Sequence, residues 1–274
     1  MSLQDLGPLL LVGAGKMGSA MLAGWLHRGL PGGGVTVVEP SPSPELVALA
    51  GDAGARIIAD VAMMGGALPR VAVLAVKPQA MGVILPAVAR AIGRDTVAVS
   101  IAAGTTLAGL SGPLGSRPIV RVMPNTPAQI GRGMSVAVAN AAASAADREA
   151  VTALMEAVGE VAWLDDEALM DAVTAVSGSG PAYVFLLAET LADAGRAAGL
   201  PSELAVRLAR ATVAGSGELL GRSDLDPATL RKNVTSPGGT TAAALSVLMG
   251  EDGLGALMTR AVAAAKARGR ELGG

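Results

Sequence analysis

Apolar residues fall in short runs and in helical stripes along this chain, and through its first half the two patterns alternate. Residues 8–12 form a short apolar run bounded by glycine, the pattern of a strand buried on both faces. The segment Gly13-Ala14-Gly15-Lys16-Met17-Gly18 follows it, and the apolar period of 19–27 then predicts a helix. Further strands are predicted over 35–38, 71–76, 96–101, 119–123, 134–138 and 161–164. Helices are predicted over 45–50, 79–92 and 145–158, and 96–116 reads as a buried strand followed by a loop. Strands alternating with helices imply an α/β fold built on a parallel, doubly wound sheet with right-handed crossovers. From about Glu167 onward only helical periodicity appears, broken by Gly and Pro. That shift divides the chain into a sheet domain over 1–165 and an all-helical domain over 166–274.

Composition narrows the chemistry. With 51% hydrophobic and 16% charged residues the chain reads as globular, and its formal net charge of -2 gives no reason to expect nucleic acid or an anionic membrane as partner. A small molecule is the expected partner. The chain has no Cys and one His, so thiolate nucleophiles, disulfides, zinc ribbons and multi-histidine metal sites are excluded, and a Ser-His-Asp triad would have to use His27. No metal is expected. A mean hydropathy of +0.51 raises the question of a membrane span. The longest charge-free stretch, 96–116, is broken by Gly and by Pro113, and 1–7 lacks the basic start of a signal peptide, so a cytoplasmic location is the expectation. His27 reads as a helix-end residue, because Arg28-Gly29 follows it, and Trp25 and Trp163 read as packing residues.

Strand, glycine turn and helix in that order open a dinucleotide-binding unit. Gly13 allows the tight turn, Gly15 lets backbone approach a pyrophosphate, and Gly18 lets helix and strand pack closely. The helix start offers free N–H groups and a positive dipole end to the phosphates. Glu39, closing the second strand, is suited to accept from a ribose 2′-hydroxyl, which favours NAD. A 2′-phosphate usually wants a nearby Arg or Lys, and Glu39-Pro40-Ser41-Pro42-Ser43 offers only hydroxyls, so these residues leave NAD and NADP both open. Lys77 ends the strand Val73-Leu74-Ala75-Val76 at the edge where open sheets bind ligands.

Three further segments carry candidate chemistry. In Arg121-Val122-Met123-Pro124-Asn125-Thr126-Pro127, two prolines stiffen the polar pair Asn125 and Thr126 just after a strand. Ser177-Gly178-Ser179-Gly180-Pro181 interrupts the helical pattern with small residues that permit close approach of a ring or another chain. Ser236-Pro237-Gly238-Gly239-Thr240-Thr241 runs straight into a helix and leaves backbone N–H groups free for a carboxylate or phosphate, with the Thr241 hydroxyl as an added donor.

Taken together, GAGKMG, LAVKPQ, SIAAGT, RVMPNTPA, DAVTAVSGSGPAYVFLLAE and NVTSPGGTT, spread from residue 13 to residue 241, resemble the pyrroline-5-carboxylate reductase family. The resemblance implies a Rossmann-type doubly wound domain joined to an all-helical C-terminal dimerisation domain. It also implies a homodimer whose chains interlock, with larger rings such as decamers in many members. The implied reaction is reduction of 1-pyrroline-5-carboxylate to L-proline, with NADP as the coenzyme and NAD admitted. Carried onto this sequence, Gly13, Ala14, Gly15, Lys16, Met17 and Gly18 would hold the pyrophosphate. Glu39, Ala75, Val76, Lys77, Pro78, Ile101, Ala102 and Ala103 would line the cofactor, and Asn125 would lie near the nicotinamide. Glu167, Gly239, Thr240 and Thr241 would bind substrate, with Thr241 beside the ring nitrogen as the catalytic hydroxyl. The rival readings are a β-hydroxyacid-type dehydrogenase, which commonly uses a helical lysine that the SGSGP stretch lacks, and a non-catalytic NAD(P)-sensing protein.

Overall fold

The computed structural model describes residues 1–273. Its strands are β1 (Leu9–Val12), β2 (Val35–Val38), β3 (Arg56–Ile58), β4 (Val71–Leu74), β5 (Val97–Ser100), β6 (Ile119–Met123), β7 (Gly133–Ala139) and β8 (Gly159–Trp163). The helices among them are α1 (Lys16–His27), α2 (Pro44–Ala53), α3 (Pro78–Ala91), α4 (Leu107–Leu114) and α5 (Ala145–Glu156). After β8 come α6 (Met170–Val173), α7 (Gly180–Ala197), α8 (Ser202–Arg222), α9 (Pro227–Asn233), α10 (Thr240–Leu248) and α11 (Leu254–Gly273).

The strands form a single 8-stranded sheet in the order β3-β2-β1-β4-β5-β6-β7-β8. Because β1, β4 and β5 are buried at every position, β1 and β4 are continuous apolar runs and β5 is apolar up to its last residue, Ser100, rather than alternating. Alternate residues of these strands supply opposite faces. Leu9, Leu11, Val71 and Val73 pack with Met21, Leu22 and Trp25 of α1 and Leu154 of α5. Leu10, Val12, Ala72 and Leu74 pack with Met81 and Leu85 of α3 and Leu110 and Leu114 of α4. Trp25 is fully buried and donates its indole N–H to the Leu154 carbonyl at 2.8 Å, which makes it a packing residue. Trp163 bonds the Thr152 hydroxyl at 2.9 Å and lies 5.0 Å below the Arg148 guanidinium. His27 closes α1, with Gly29 just beyond at φ 93.

Three features depart from the pattern-based expectation. The sheet is not wholly parallel, since β7 runs antiparallel to β6. Residues 124–132, which join them, are too few for the crossover of about a dozen residues that a parallel pair needs, so the chain turns back on itself. Residues 107–114 are helical rather than loop: Thr106 caps the Gly109 N–H at 3.1 Å, and Leu110 and Leu114 bury one stripe. Pro113 sits in the last turn of α4 and forgoes one i to i−4 hydrogen bond there. Finally, residues 174–178 form a π-helical turn leading into α7 rather than an open break.

The chain resolves into two compact units, Met1–Gly178 with the residues from Lys266 onward, and Ser179–Ala265. In the second unit α7 and α8 form a helical hairpin with small residues at the contact, Ala192, Ala205 and Ala209 being buried. Its larger apolar side chains face outward: Val184, Phe185, Leu186 and Leu187 are 47–67% exposed on successive positions of α7. No helix among the described residues is long and apolar enough to cross a membrane.

Candidate active site

Parallel register fixes which loops meet. Val12 pairs Val38 on one side and Leu74 on the other, and Leu74 pairs Ser100, so the segments after β1, β2, β4 and β5 leave from one edge of the sheet. Strand order reverses between β1 and β4, which is where open α/β sheets bind ligands. Gly13 to Gly18, Glu39, Ala75 to Pro78 and Ile101 to Ala103 are therefore brought to a common edge.

The three glycines of the turn have different geometries. Gly13 has φ 88 and bonds the Val38 carbonyl through its N–H at 2.8 Å; a Cβ there would lie 2.8 Å from the Ala75 carbonyl oxygen. At Gly18 a Cβ would lie 2.4 Å from the Gly13 carbonyl oxygen, so only hydrogen fits between helix and strand. Gly15 faces open space and stands at the start of α1 with no side chain capping the helix. Ala14 is clamped from two sides: its N–H donates to Glu39 Oε2 at 2.9 Å and its carbonyl accepts from the Ser19 hydroxyl at 2.6 Å. Lys16 and Met17 begin α1. On the neighbouring strand, the Ala75 N–H bonds the Val12 carbonyl at 2.8 Å, and Lys77, exposed, is the residue before α3, with Pro78 in its first turn. After β5, the Ile101 N–H bonds the Leu74 carbonyl at 3.1 Å and the Ala102 N–H bonds the Ser100 hydroxyl at 3.3 Å.

The segments after β6 and around Ser177 come together. Asn125 donates through Nδ2 to the Ser177 hydroxyl at 3.2 Å and carbonyl at 3.3 Å, while its Oδ1 accepts from the Met134 N–H at 2.9 Å. A Cβ on Gly178 would lie 2.6 Å from Met123 Cε, so the end of the Met123 side chain rests against bare backbone there.

Glu167 is engaged inside the first unit. Its Oε1 accepts from Arg121 Nη1 and from the Leu107 N–H at the start of α4, both at 2.8 Å. Arg121 is 4% exposed, so this ion pair is its compensation for burial. A cavity of about 330 Å³ adjoins the pair, lined also by Gly104, Thr106, Ala168, Asp171 and Arg270. Sequence reasoning gave Arg121 and Arg270 no role. For Arg121 the signal was available, a charged residue in the middle of an otherwise apolar strand.

Gly239, Thr240 and Thr241 gather at one helix start in the second unit. Gly238 has φ 69, the Gly239 N–H bonds the Ser236 carbonyl at 3.1 Å, and α10 begins from Gly239 with no side-chain cap. The first N–H groups of α10 thus lack the side-chain acceptor that Asp226 supplies to α9, where the carboxylate accepts from Ala228 and Thr229. The Thr229 hydroxyl, bonded to Asp226, holds that carboxyl below its usual range. Among the described residues no group of three or more His, Cys, Asp or Glu is arranged to hold a metal.

A doubly wound sheet with a glycine turn at its switch point, followed by a helical unit, defines a Rossmann-type oxidoreductase of two domains. Residues 9–104 match the family described as NADP oxidoreductase, coenzyme F420-dependent, and residues 167–272 match pyrroline-5-carboxylate reductase dimerisation. The chain is 43% identical to the pyrroline-5-carboxylate reductase of Pseudomonas aeruginosa over 96% of both chains. Among solved structures it is similar to the pyrroline-5-carboxylate reductase of Coxiella burnetii (TM-score 0.90, 31% identity, 98% of this chain and 100% of that one). It is also similar to the Plasmodium falciparum enzyme with NADP bound (TM-score 0.83, 30% identity, 99% of each). The chain belongs to the pyrroline-5-carboxylate reductase family.

Proposed function

We propose that this chain reduces 1-pyrroline-5-carboxylate to L-proline, the last step of proline biosynthesis, with NADP or NAD as coenzyme. Its relatives carry that activity in their names, and the P. falciparum enzyme binds NADP. The residues fit a dinucleotide: Gly15 leaves open space beside the uncapped start of α1, where a pyrophosphate finds backbone donors. When bound, the reduced nicotinamide supplies the hydride that adds to the imine carbon, while a proton goes to the ring nitrogen.

The chain's own residues position and protect. Gly13 to Gly18 hold the pyrophosphate, and Glu39, Ala75 to Pro78 and Ile101 to Ala103 line the dinucleotide. Asn125, fixed by Ser177 and Met134, bounds the nicotinamide site. The free N–H groups at the start of α10, from Gly239, Thr240 and Thr241, hold the substrate carboxylate. The Thr241 hydroxyl serves the ring nitrogen, so no histidine is needed. Glu167 acts on the substrate side while tied to Arg121. The partner is a small molecule, the domains divide near 165/166, and the enzyme works in the cytoplasm as a homodimer that can build a larger ring such as a decamer.

The observation that carries the reading is the uncapped start of α10 beside a threonine hydroxyl, in a chain that also holds a glycine turn at its sheet's switch point. The test is oxidation of NADPH and NADH by purified protein supplied with 1-pyrroline-5-carboxylate, with Thr241→Ala in parallel. Wild type turns over, and Thr241→Ala loses turnover by about 100-fold with coenzyme affinity nearly unchanged. Coenzyme binding without oxidation defeats the substrate assignment; equal losses in turnover and coenzyme affinity remove Thr241 from the substrate side.

A further inference from the structure

The end of β2 is acidic and held rigidly. The Glu39 N–H bonds the Ile58 carbonyl at 2.9 Å, its Oε2 accepts from the Ala14 N–H in the glycine turn, and its Oε1 accepts from the Ser41 N–H at 3.2 Å. Neither oxygen takes part in an ion pair among the described residues. No Lys or Arg occurs between Arg28 and Arg56, an interval whose only charged residues are Glu39, Glu45 and Asp52. Arg56 pairs with Thr36 in the sheet, about 10 Å back along β2 from Glu39, and its Nη2 is bonded to the Gly65 carbonyl. The neighbouring strand β3 is followed by a second acid, Asp60, which accepts from the Ala62 N–H. Ser43 is committed to capping α2 through the Leu46 N–H, and the first turn of that helix carries Glu45 where a phosphate would want a base.

We infer that Glu39 sets the coenzyme preference of this reductase, favouring NADH over NADPH by accepting a ribose 2′-hydroxyl and repelling a 2′-phosphate. The inference rests on the reading of the chain as a dinucleotide-dependent reductase and adds which dinucleotide its adenosine end selects. A carboxylate has about four acceptor directions, so Glu39 can hold the glycine turn through Ala14 and still accept from a ribose hydroxyl. A 2′-phosphate carries nearly two negative charges, and the β2–α2 segment gives it no cation to offset Glu39. NADPH remains a substrate, and NADH is the better one.

The test is calorimetric titration of the full-length protein with NAD⁺ and with NADP⁺, so that binding is read without turnover. Wild type binds NAD⁺ about tenfold more tightly, the size of effect that one unscreened charge a few ångströms from the phosphate produces. Glu39→Gln keeps an oxygen for the Ala14 N–H and removes the charge, so NADP⁺ affinity rises, NAD⁺ affinity falls as the ribose hydroxyl loses a charged acceptor, and the ratio moves toward one. A second reading needs no variant: added salt narrows the wild-type ratio, because the discrimination is electrostatic. NADP⁺ binding as tightly as NAD⁺ in wild type, or a ratio unmoved in Glu39→Gln, overturns the inference. Binding of neither dinucleotide instead defeats the reductase reading on which it rests.

Discussion

Asp147 shows how one side chain at the start of a helix ties together distant parts of the sheet domain. Burial raises the cost of ionising it, yet the Ser144 hydroxyl and N–H and the Arg70 guanidinium outweigh that cost and hold its carboxyl below the usual carboxylate range. It is both the third-residue partner of a capping box and one half of a 2.6 Å ion pair. A carboxyl whose folded pKa is depressed contributes stability that is fully present above its unfolded value of about 3.9 and is lost as pH falls through the folded value. Asp147→Asn therefore costs about 2 kcal/mol in urea unfolding near neutral pH. The gap to wild type closes as the titration is carried into the acidic range. A pH-independent gap would show that the charge of Asp147 contributes nothing. Residues such as Glu167 and Asn125 teach a second lesson. The family resemblance named them, but their partners, Arg121 and Leu107 for one and Ser177 and Met134 for the other, lie up to 60 positions away in sequence, and the pairings were not legible there.

Elements were legible where packing and local pattern agree. Strands β1 and β4 are readable because parallel strands covered on both faces are continuous apolar runs. Helix α4 was not, because Gly109, Gly112 and Pro113 read as loop residues while its evidence as a helix was two leucines four apart and a threonine cap. Strand β3, three residues long with one exposed end, is too short to show any period. The reversal at β7 leaves its trace only in the brevity of the preceding connection. At the far edge of the sheet, Gly159 of β8 lies against Gly133 of β7 so closely that an added Cβ would stand 1.9 Å from the Gly133 carbonyl oxygen. Backbone cannot yield there as a flexible side chain would. Gly159→Ala is expected to lower unfolding free energy by about 3 kcal/mol, read as a reduced denaturation midpoint. A midpoint equal to wild type would mean that β7 and β8 separate freely.

At the scale of the molecule, the helical unit cannot bury its own apolar surface. Helix α7 presents apolar side chains on several sides, a pattern that belongs to a helix enclosed by others. Its Phe185, the only phenylalanine of the chain, is 67% exposed. In the proposed homodimer this surface is covered by a second copy. Phe185→Asp should then shift the sedimentation-equilibrium mass from a multiple of the chain mass toward one chain, at protein concentrations where wild type stays assembled. An unchanged mass would place the dimer contact elsewhere.

Helix α11 begins in the helical unit and ends in the sheet-bearing one, where Leu272 packs against Gly104 and Gly269 against Asp171. The helical unit is thus an insertion held at both of its ends rather than a tail hung from one. Such an insert has no free end from which to fray, since the chain continues into the sheet-bearing unit on both sides of it. Topologically it is a cassette, and residues 179–265 are the natural segment to exchange between relatives, with one seam at the Ser179 bend before α7 and the other inside α11, whose register would have to be preserved.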